Sequence, residues 1–334
     1  MRPFHSSLTR IARLEERTYA LERRPREQWG DGDYVAGEVL SAPAEAGLEL
    51  PSGRVAQIVE GDVVVSALGR RAATLEVVGD WKAVGDDGRF HLLSGGGILG
   101  RYTSKSPLLP ALPELAYRGH VTIDGAARGM RDFVEAVAPR DYDTPTVLIV
   151  GTSMSAGKTT AARNIIRQLA RLDLRILGAK LTGAGRRHDV QSMADAGAEA
   201  IFDFVDVGLP STVCPEEEYR AALSGLLSRM AAVEADLAVI EAGASPLEPY
   251  NGRAAVDAID HAVRCTVLCA SDPYAVLGVM EGFGRRPDFV SGITTNTEAG
   301  IALVRRLTGL PAINVRDPST WPRLTSTVRK CLGV

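Results

Sequence analysis

Residues 151–160 read GTSMSAGKTT, which fits the pattern G-x-x-x-x-G-K-[ST]. Glycines at 151 and 157 keep side chains away from two points of a turn, so successive backbone N–H groups can curl round a polyanion. The apolar run TVLIV stands before the loop, and KTTAARNIIRQLARL follows it with apolar positions at helical spacing. Strand, glycine loop and helix N-terminus are the parts an anion cradle needs, the last adding its partial positive charge. The stretch Gly151, Thr152, Ser153, Met154, Ser155, Ala156, Gly157, Lys158, Thr159 and Thr160 is therefore expected to bind a nucleotide. Lys158 would reach the outer phosphates, and the Thr159 hydroxyl would ligate Mg2+.

Mg2+ on a triphosphate also takes protein carboxylates. DLAVIEAGAS supplies an apolar strand ending in Glu241, at the carboxyl end where ligands collect in doubly wound sheets. Asp236 opens that strand and is expected at its far, solvated end. GAKLTGAGRRHDV places Lys180 at the end of another apolar strand, where an ammonium can offset charge developing in phosphoryl transfer. Asp189 is read two ways, as a second Mg2+ ligand or as the N-cap of the next helix. Of Arg186 and Arg187, one is expected to grip an anionic substrate and the other to be surface charge. His188 is read as exposed loop. Small and hydroxyl residues after these strands (Thr182, Ser211, Thr212, Ser245 and Asn251) are candidates for the acceptor substrate. GITTNTEAG, after a late strand, is placed beside the nucleotide base, and the absence of N-K-x-D favours ATP over GTP.

These residues need a sheet to position them. The apolar runs TVLIV, RILGAKL, LAVIEA, TVLCA, FVSGI and PAINV alternate with stretches that predict helices near Gly157, Val190, Glu216, Ala254, Ala275 and Glu298, with a last one near Leu324. Unalternating buried strands spaced by helices mark a doubly wound, mostly parallel α/β sheet. The N-terminal half has another texture. Leu8 to Arg24 is read as an amphipathic helix. Short Val-rich runs broken by Gly-Asp and Gly-Arg then predict a small β-rich domain, barrel or sandwich. LLSGGGILGRYTSKSP is either a mobile turn or a loop that closes over the other domain's site. Length suggests two domains, and a boundary near Arg140 to Thr144 gives 1–140 and 141–334.

GTSMSAGKTTAA, GAKLTGAG and VIEAGAS resemble the three signature segments of the dethiobiotin synthetase-like P-loop family. The same half also resembles the P-loop domain of a family linked to D-glutamate acylation. The likeness covers roughly residues 145 to 320. It implies Lys158 and Lys180 on phosphates, with Thr159, Asp189 and Glu241 around Mg2+, and catalytic roles for Lys158, Lys180 and Glu241. It also implies ATP-dependent phosphorylation of a small carboxylate or carbamate, as a kinase or the activating step of a ligase. E-A-G-A replaces the family's E-G-A-G at the strand end. Ser153 stands where partition-type ATPases carry a lysine, which weakens the reading as a nucleotide-gated regulatory ATPase. Acyl transfer stays open.

Composition narrows the classes. With 45% hydrophobic residues and a formal net charge of −3, the chain has material for a core and no electrostatic case for nucleic acid. No apolar run is long enough to span a bilayer, and the N-terminus lacks a secretory or transit pattern, so a cytoplasmic homo-oligomer acting on a small molecule is expected. Cys214, Cys265, Cys269 and Cys331 lack C-x-x-C spacing; they are read as reduced thiols, with no metal site among them.

Overall fold

The computed structural model describes residues 3–333. The chain forms two compact units. The first comprises Met1–Ala136, Ala184–His188 and Phe204–Cys214, and the second Val137–Gly183, Asp189–Asp203 and Pro215–Val334.

The first unit is β-rich. Its ten-stranded sheet runs in the order Phe4–His5, Val63–Ala67, Tyr34–Ser41, Glu114–Ile123, Arg89–Leu92, Leu99–Lys105, Val77–Asp80 and Arg70–Ala72, with Ala20–Glu22 and Ala126–Ala127 also on Glu114–Ile123. Apart from the first pair the ladders are antiparallel. Its core gathers Val35, Leu48, Ile58, Leu68, Phe90, Leu99 and Leu115. The helix expected over Leu8 to Arg24 does not form. Instead two 3-10 turns, Ser7–Ala12 and Leu14–Glu16, meet at Arg13 in the left-handed region, and Ala20–Glu22 is a strand. Ser6 caps the first turn through the Leu8 N–H, and the Tyr19 hydroxyl bonds His5 Nε2 at 2.9 Å. These local polar bonds compete with a helical ladder and win. The triple-glycine stretch is tied down within this unit: Gly95 O accepts from Glu49 N, Gly96 O from Ser7 Oγ and Gly97 O from Ser66 Oγ.

The second unit carries the parallel sheet. Its strands are β1 (Thr146–Gly151), β2 (Ile176–Thr182), β3 (Ala200–Asp203), β4 (Leu237–Ala242), β5 (Val263–Cys269) and β6 (Phe289–Ser291), in the spatial order β3-β2-β4-β1-β5-β6. All five ladders are parallel. The intervening helices are α1 (Lys158–Leu169), α2 (Arg187–Ala194), α3 (Glu216–Ala231), α4 (Gly252–Ile259), α5 (Pro273–Phe283), α6 (Glu298–Thr308) and α7 (Trp321–Leu332). β1, β2 and β4 are buried along their whole length, which is why they read as unbroken apolar runs. On one face Ile165, Ile166 and Leu169 of α1 and Leu324 and Val328 of α7 pack over Val147, Ile149, Cys265 and Val267. The fold is thus a doubly wound parallel α/β sheet together with a β-rich unit.

Two strand readings change. PAINV contributes only an isolated parallel bridge, Val290 to Ala312, because Pro311 lacks the N–H that would extend the ladder. The edge strand β3 had not been foreseen. No helix among the described residues is long and apolar enough to cross a membrane.

Candidate functional site

The parallel register builds the site. Lys180 of β2 lies directly opposite Glu241 of β4 on one side and Asp203 of β3 on the other. Glu241 is in turn level with Ile149, just before the loop that leaves β1. Three neighbouring strands therefore deliver an ammonium and two carboxylates to one carboxyl edge, where the glycine loop also emerges.

The loop is bent sharply at two points. Ser155 has φ 62° and Gly157 φ 101°, left-handed values that turn successive N–H groups toward one concavity. Ala156 O accepts from Ile293 N at 3.3 Å, and Thr152 N donates to Cys269 O at 3.0 Å. Thr152 Oγ1 meets Ser271 Oγ at 3.2 Å. The loop is thereby fixed from β5 and from the residues after β6. GITTN, read as a border to a base, begins with the glycine that braces it. Helix α1 starts at Lys158 with Gly157 as its cap residue and no side-chain cap bond, so its first amides keep their donors for an incoming anion.

The side chains form a dense charged cluster. Lys158 Nζ donates to Ser153 O at 2.7 Å, and Thr159 Oγ1 donates to Glu241 Oε2 at 3.0 Å. Lys180 Nζ is paired with Asp189 Oδ2. Lys158, Lys180 and Glu241 are each at most 5% exposed. Burial holds the Lys158 ammonium below its ordinary pKa, against the opposing pull of Glu241. For Lys180 burial acts the same way, but Asp189, Glu241 and Asp203 together outweigh it and raise the pKa. Burial raises Glu241, with Lys180 the main counterweight. Cys269, beside Lys158, is pushed up to about 12 by burial and stays a thiol.

Within the second unit the structure brings together Gly151 to Thr160, Lys180, Asp189 and Glu241. Asp189 is not an N-cap: α2 begins at Arg187, and its leading N–H groups, those of Arg187 and His188, donate to Glu49 at 2.6 and 2.8 Å. Asp236 is at the opposite end of β4, bonded to Arg175. The acceptor candidates fare differently. Thr182 Oγ1 is buried and donates to Gly243 O at 3.0 Å, so it fastens β2 to the E-A-G-A turn. Ser245 Oγ accepts from Leu247 N in a local turn, and Asn251 is left-handed at the start of α4. Arg186 belongs to the first unit, with Nε 3.9 Å from the buried Glu49 carboxylate; Arg187, Ser211 and Thr212 belong there too. His188 is exposed, as expected, but helical.

Asp203 was missed. It is 1% exposed and ends the short run AIFD as Glu241 ends LAVIE, so an acid closing an apolar run was the available signal.

No family model matches the chain, and no curated protein matches it either. Solved structures do. The hydrogenase maturation factor HypB from Archaeoglobus fulgidus has 18% identity and a TM-score of 0.39, covering 57% of this chain and 91% of that one. HypB from Helicobacter pylori has 13% identity and a TM-score of 0.40, covering 57% and 88%. A ParA family ATPase from Chlorobium tepidum TLS has 14% identity and a TM-score of 0.32, covering 57% and 92%. Likenesses at this level bear on neither the nucleotide nor the reaction.

Proposed function

We propose that the second unit binds Mg·ATP at residues 151–160 and transfers its terminal phosphoryl group to a small, carboxylate-bearing metabolite, as a kinase or as the activating step of a ligase. One observation carries the reading: Lys158, Thr159, Lys180, Asp189 and Glu241 converge at the carboxyl ends of adjacent parallel strands, around a loop whose backbone is pre-bent for an anion.

The donor set fits the group. The Thr159 hydroxyl and the carboxylates of Glu241 and Asp189 are hard oxygen ligands suited to Mg2+, which when bound would neutralise charge on the phosphates. Amides of the loop and of the first turn of α1 would hold the β-phosphate. Lys158, now on Ser153 O, would turn to the terminal phosphate. Lys180, kept charged by its carboxylate neighbours, stands on the far side of Glu241 and would stabilise charge on the oxygens in flight. Catalysis of this kind is positioning and charge neutralisation, so no protein nucleophile is required. Thr182 would act through its bond to Gly243 O, while the turns at Ser245 and Asn251 remain the proposed acceptor side.

The test is ADP release from the full chain with a panel of small carboxylates. Stimulation by a metabolite, abolished in Lys158→Ala, supports transfer. Slow hydrolysis indifferent to every metabolite would move the assignment to a nucleotide-gated ATPase.

A further inference from the structure

The cysteines lack metal-binding spacing in sequence, yet two of them meet in space. Cys265 lies on β5, fully buried, facing the side of the sheet that α1 and α7 cover. Leu324 and Val328 of α7 pack onto that side, and Cys331, three residues further along the same stripe, is half-buried against it. Asp288 stands just before β6 and is exposed. Its carboxylate is pinned: Thr266 N donates to Asp288 Oδ2 at 2.7 Å, while Asp288 N donates to Thr266 O at 2.8 Å. The sulfurs of Cys265 and Cys331 and a carboxylate oxygen of Asp288 lie within 4.8 Å of one another.

We propose that Cys265, Cys331 and Asp288 form a site for one thiophilic divalent cation of the zinc type, with water as its fourth ligand. Around tetrahedral zinc, bonds of about 2.3 Å to sulfur and 2.0 Å to oxygen put neighbouring ligand atoms roughly 3.5–3.8 Å apart. From separations of at most 4.8 Å the three atoms need to close by no more than about 1.0–1.3 Å, which the last turn of α7 can supply through Cys331. Two thiolates and one carboxylate favour Zn2+ over Mg2+ or Ca2+. The site thus differs chemically from the all-oxygen set beside the glycine loop. The exposed side of Asp288 and Cys331 gives an entry path and room for the water. On binding, both thiols release their protons to solvent. The cation would tie the C-terminal helix, which packs on β5 through apolar side chains, to the hydrogen-bonded pair of β5 and the approach to β6.

The test uses the full chain, reduced and stripped with chelator, then titrated with Co2+ and followed by absorption. The expected result is thiolate-to-cobalt charge transfer with intense tetrahedral visible bands, saturating at one equivalent per chain and abolished by Zn2+. Cys331→Ser should remove about half of the charge-transfer intensity, and Asp288→Asn should weaken binding by about tenfold or more. Thermal unfolding of both variants without metal checks that they fold; Cys331 and Asp288 are far enough from full burial for that. Cobalt bound by oxygens beside the glycine loop gives no sulfur charge transfer, so it cannot imitate the result. The proposal is overturned if no such band appears, if the band is unchanged in Cys331→Ser, or if chain purified under reductant carries a Cys265–Cys331 disulfide instead.

Discussion

Gly292→Ala examines how the glycine loop is braced. Gly292 has φ 90° and ψ −160°, a region essentially reserved for glycine, and a side chain there costs about 1–3 kcal/mol. A Cβ would also stand 2.3 Å from Ala156 O, 2.8 Å from Ala270 N and 3.0 Å from Ala270 O. These are backbone atoms that no rotamer change can move aside, so overpacking adds about 1–3 kcal/mol. Together the loss is about 2–6 kcal/mol, and relief comes most readily by pushing Ala156 outward, which displaces the amides at Gly157 and Lys158. Equilibrium urea denaturation should therefore show a lower midpoint, and calorimetric titration should show ATP affinity reduced at least about tenfold, the equivalent of 1.4 kcal/mol. Gly278→Ala is the matched control. It sits exposed in α5 with nothing within 4 Å of an added Cβ, so the same change should stabilise by about 0.5–1 kcal/mol. If Gly292→Ala kept the parent's midpoint and affinity, the bracing argument would be wrong.

Lys158→Ala should abolish nucleotide turnover with secondary structure retained; circular dichroism and an ADP-release assay check both halves, and undiminished turnover would remove the central assignment. Glu241→Gln should shift the Mg2+ titration of activity more than the nucleotide titration. Because burial raises Glu241 above the ordinary glutamate value of 4.5, protons compete with the cation at higher pH than usual. Apparent Mg2+ affinity should rise with pH through that raised pKa and then level off, and a flat profile across a Mg2+ titration series would count against Glu241 as ligand. Asp189→Asn strips Lys180, whose side chain is 7% exposed, of its nearest counter-charge. Leaving a buried charge wholly unpaired costs about 3–5 kcal/mol; because Glu241 and Asp203 still face Lys180, the loss should fall below that range and be read as a lower denaturation midpoint.

The glycine loop, Lys180 and Glu241 were legible in the sequence because their signals are local: a short motif, and a charge closing an apolar run. Parallel register then places strand ends side by side, so residues named separately had to meet. Other features depend on what each group bonds, which sequence does not state. Thr182 looked like a substrate hydroxyl but is spent on Gly243. Asp189 read equally as a metal ligand or a cap, and the cap reading fell only because Glu49, distant in sequence, takes the N–H groups of Arg187 and His188. The N-terminal segment has helical apolar spacing, yet Ser6 and Tyr19 fix it by local polar bonds. The strand β3 is only four residues long, and periodicity is weakest on so short an edge. The meeting of Cys265 with Cys331 is a tertiary event between β5 and α7, invisible to spacing rules.

The most direct measurement is a crystal structure of the full chain grown with Mg2+ and a non-hydrolysable ATP analogue. The account predicts the β-phosphate ringed by the amides of residues 153–159, Lys158 Nζ swung from Ser153 O to the terminal phosphate, and the metal on Thr159 with Glu241 or Asp189 beside it. An analogue bound elsewhere, with Lys158 still on Ser153 O and the loop amides turned into packed protein, would contradict it.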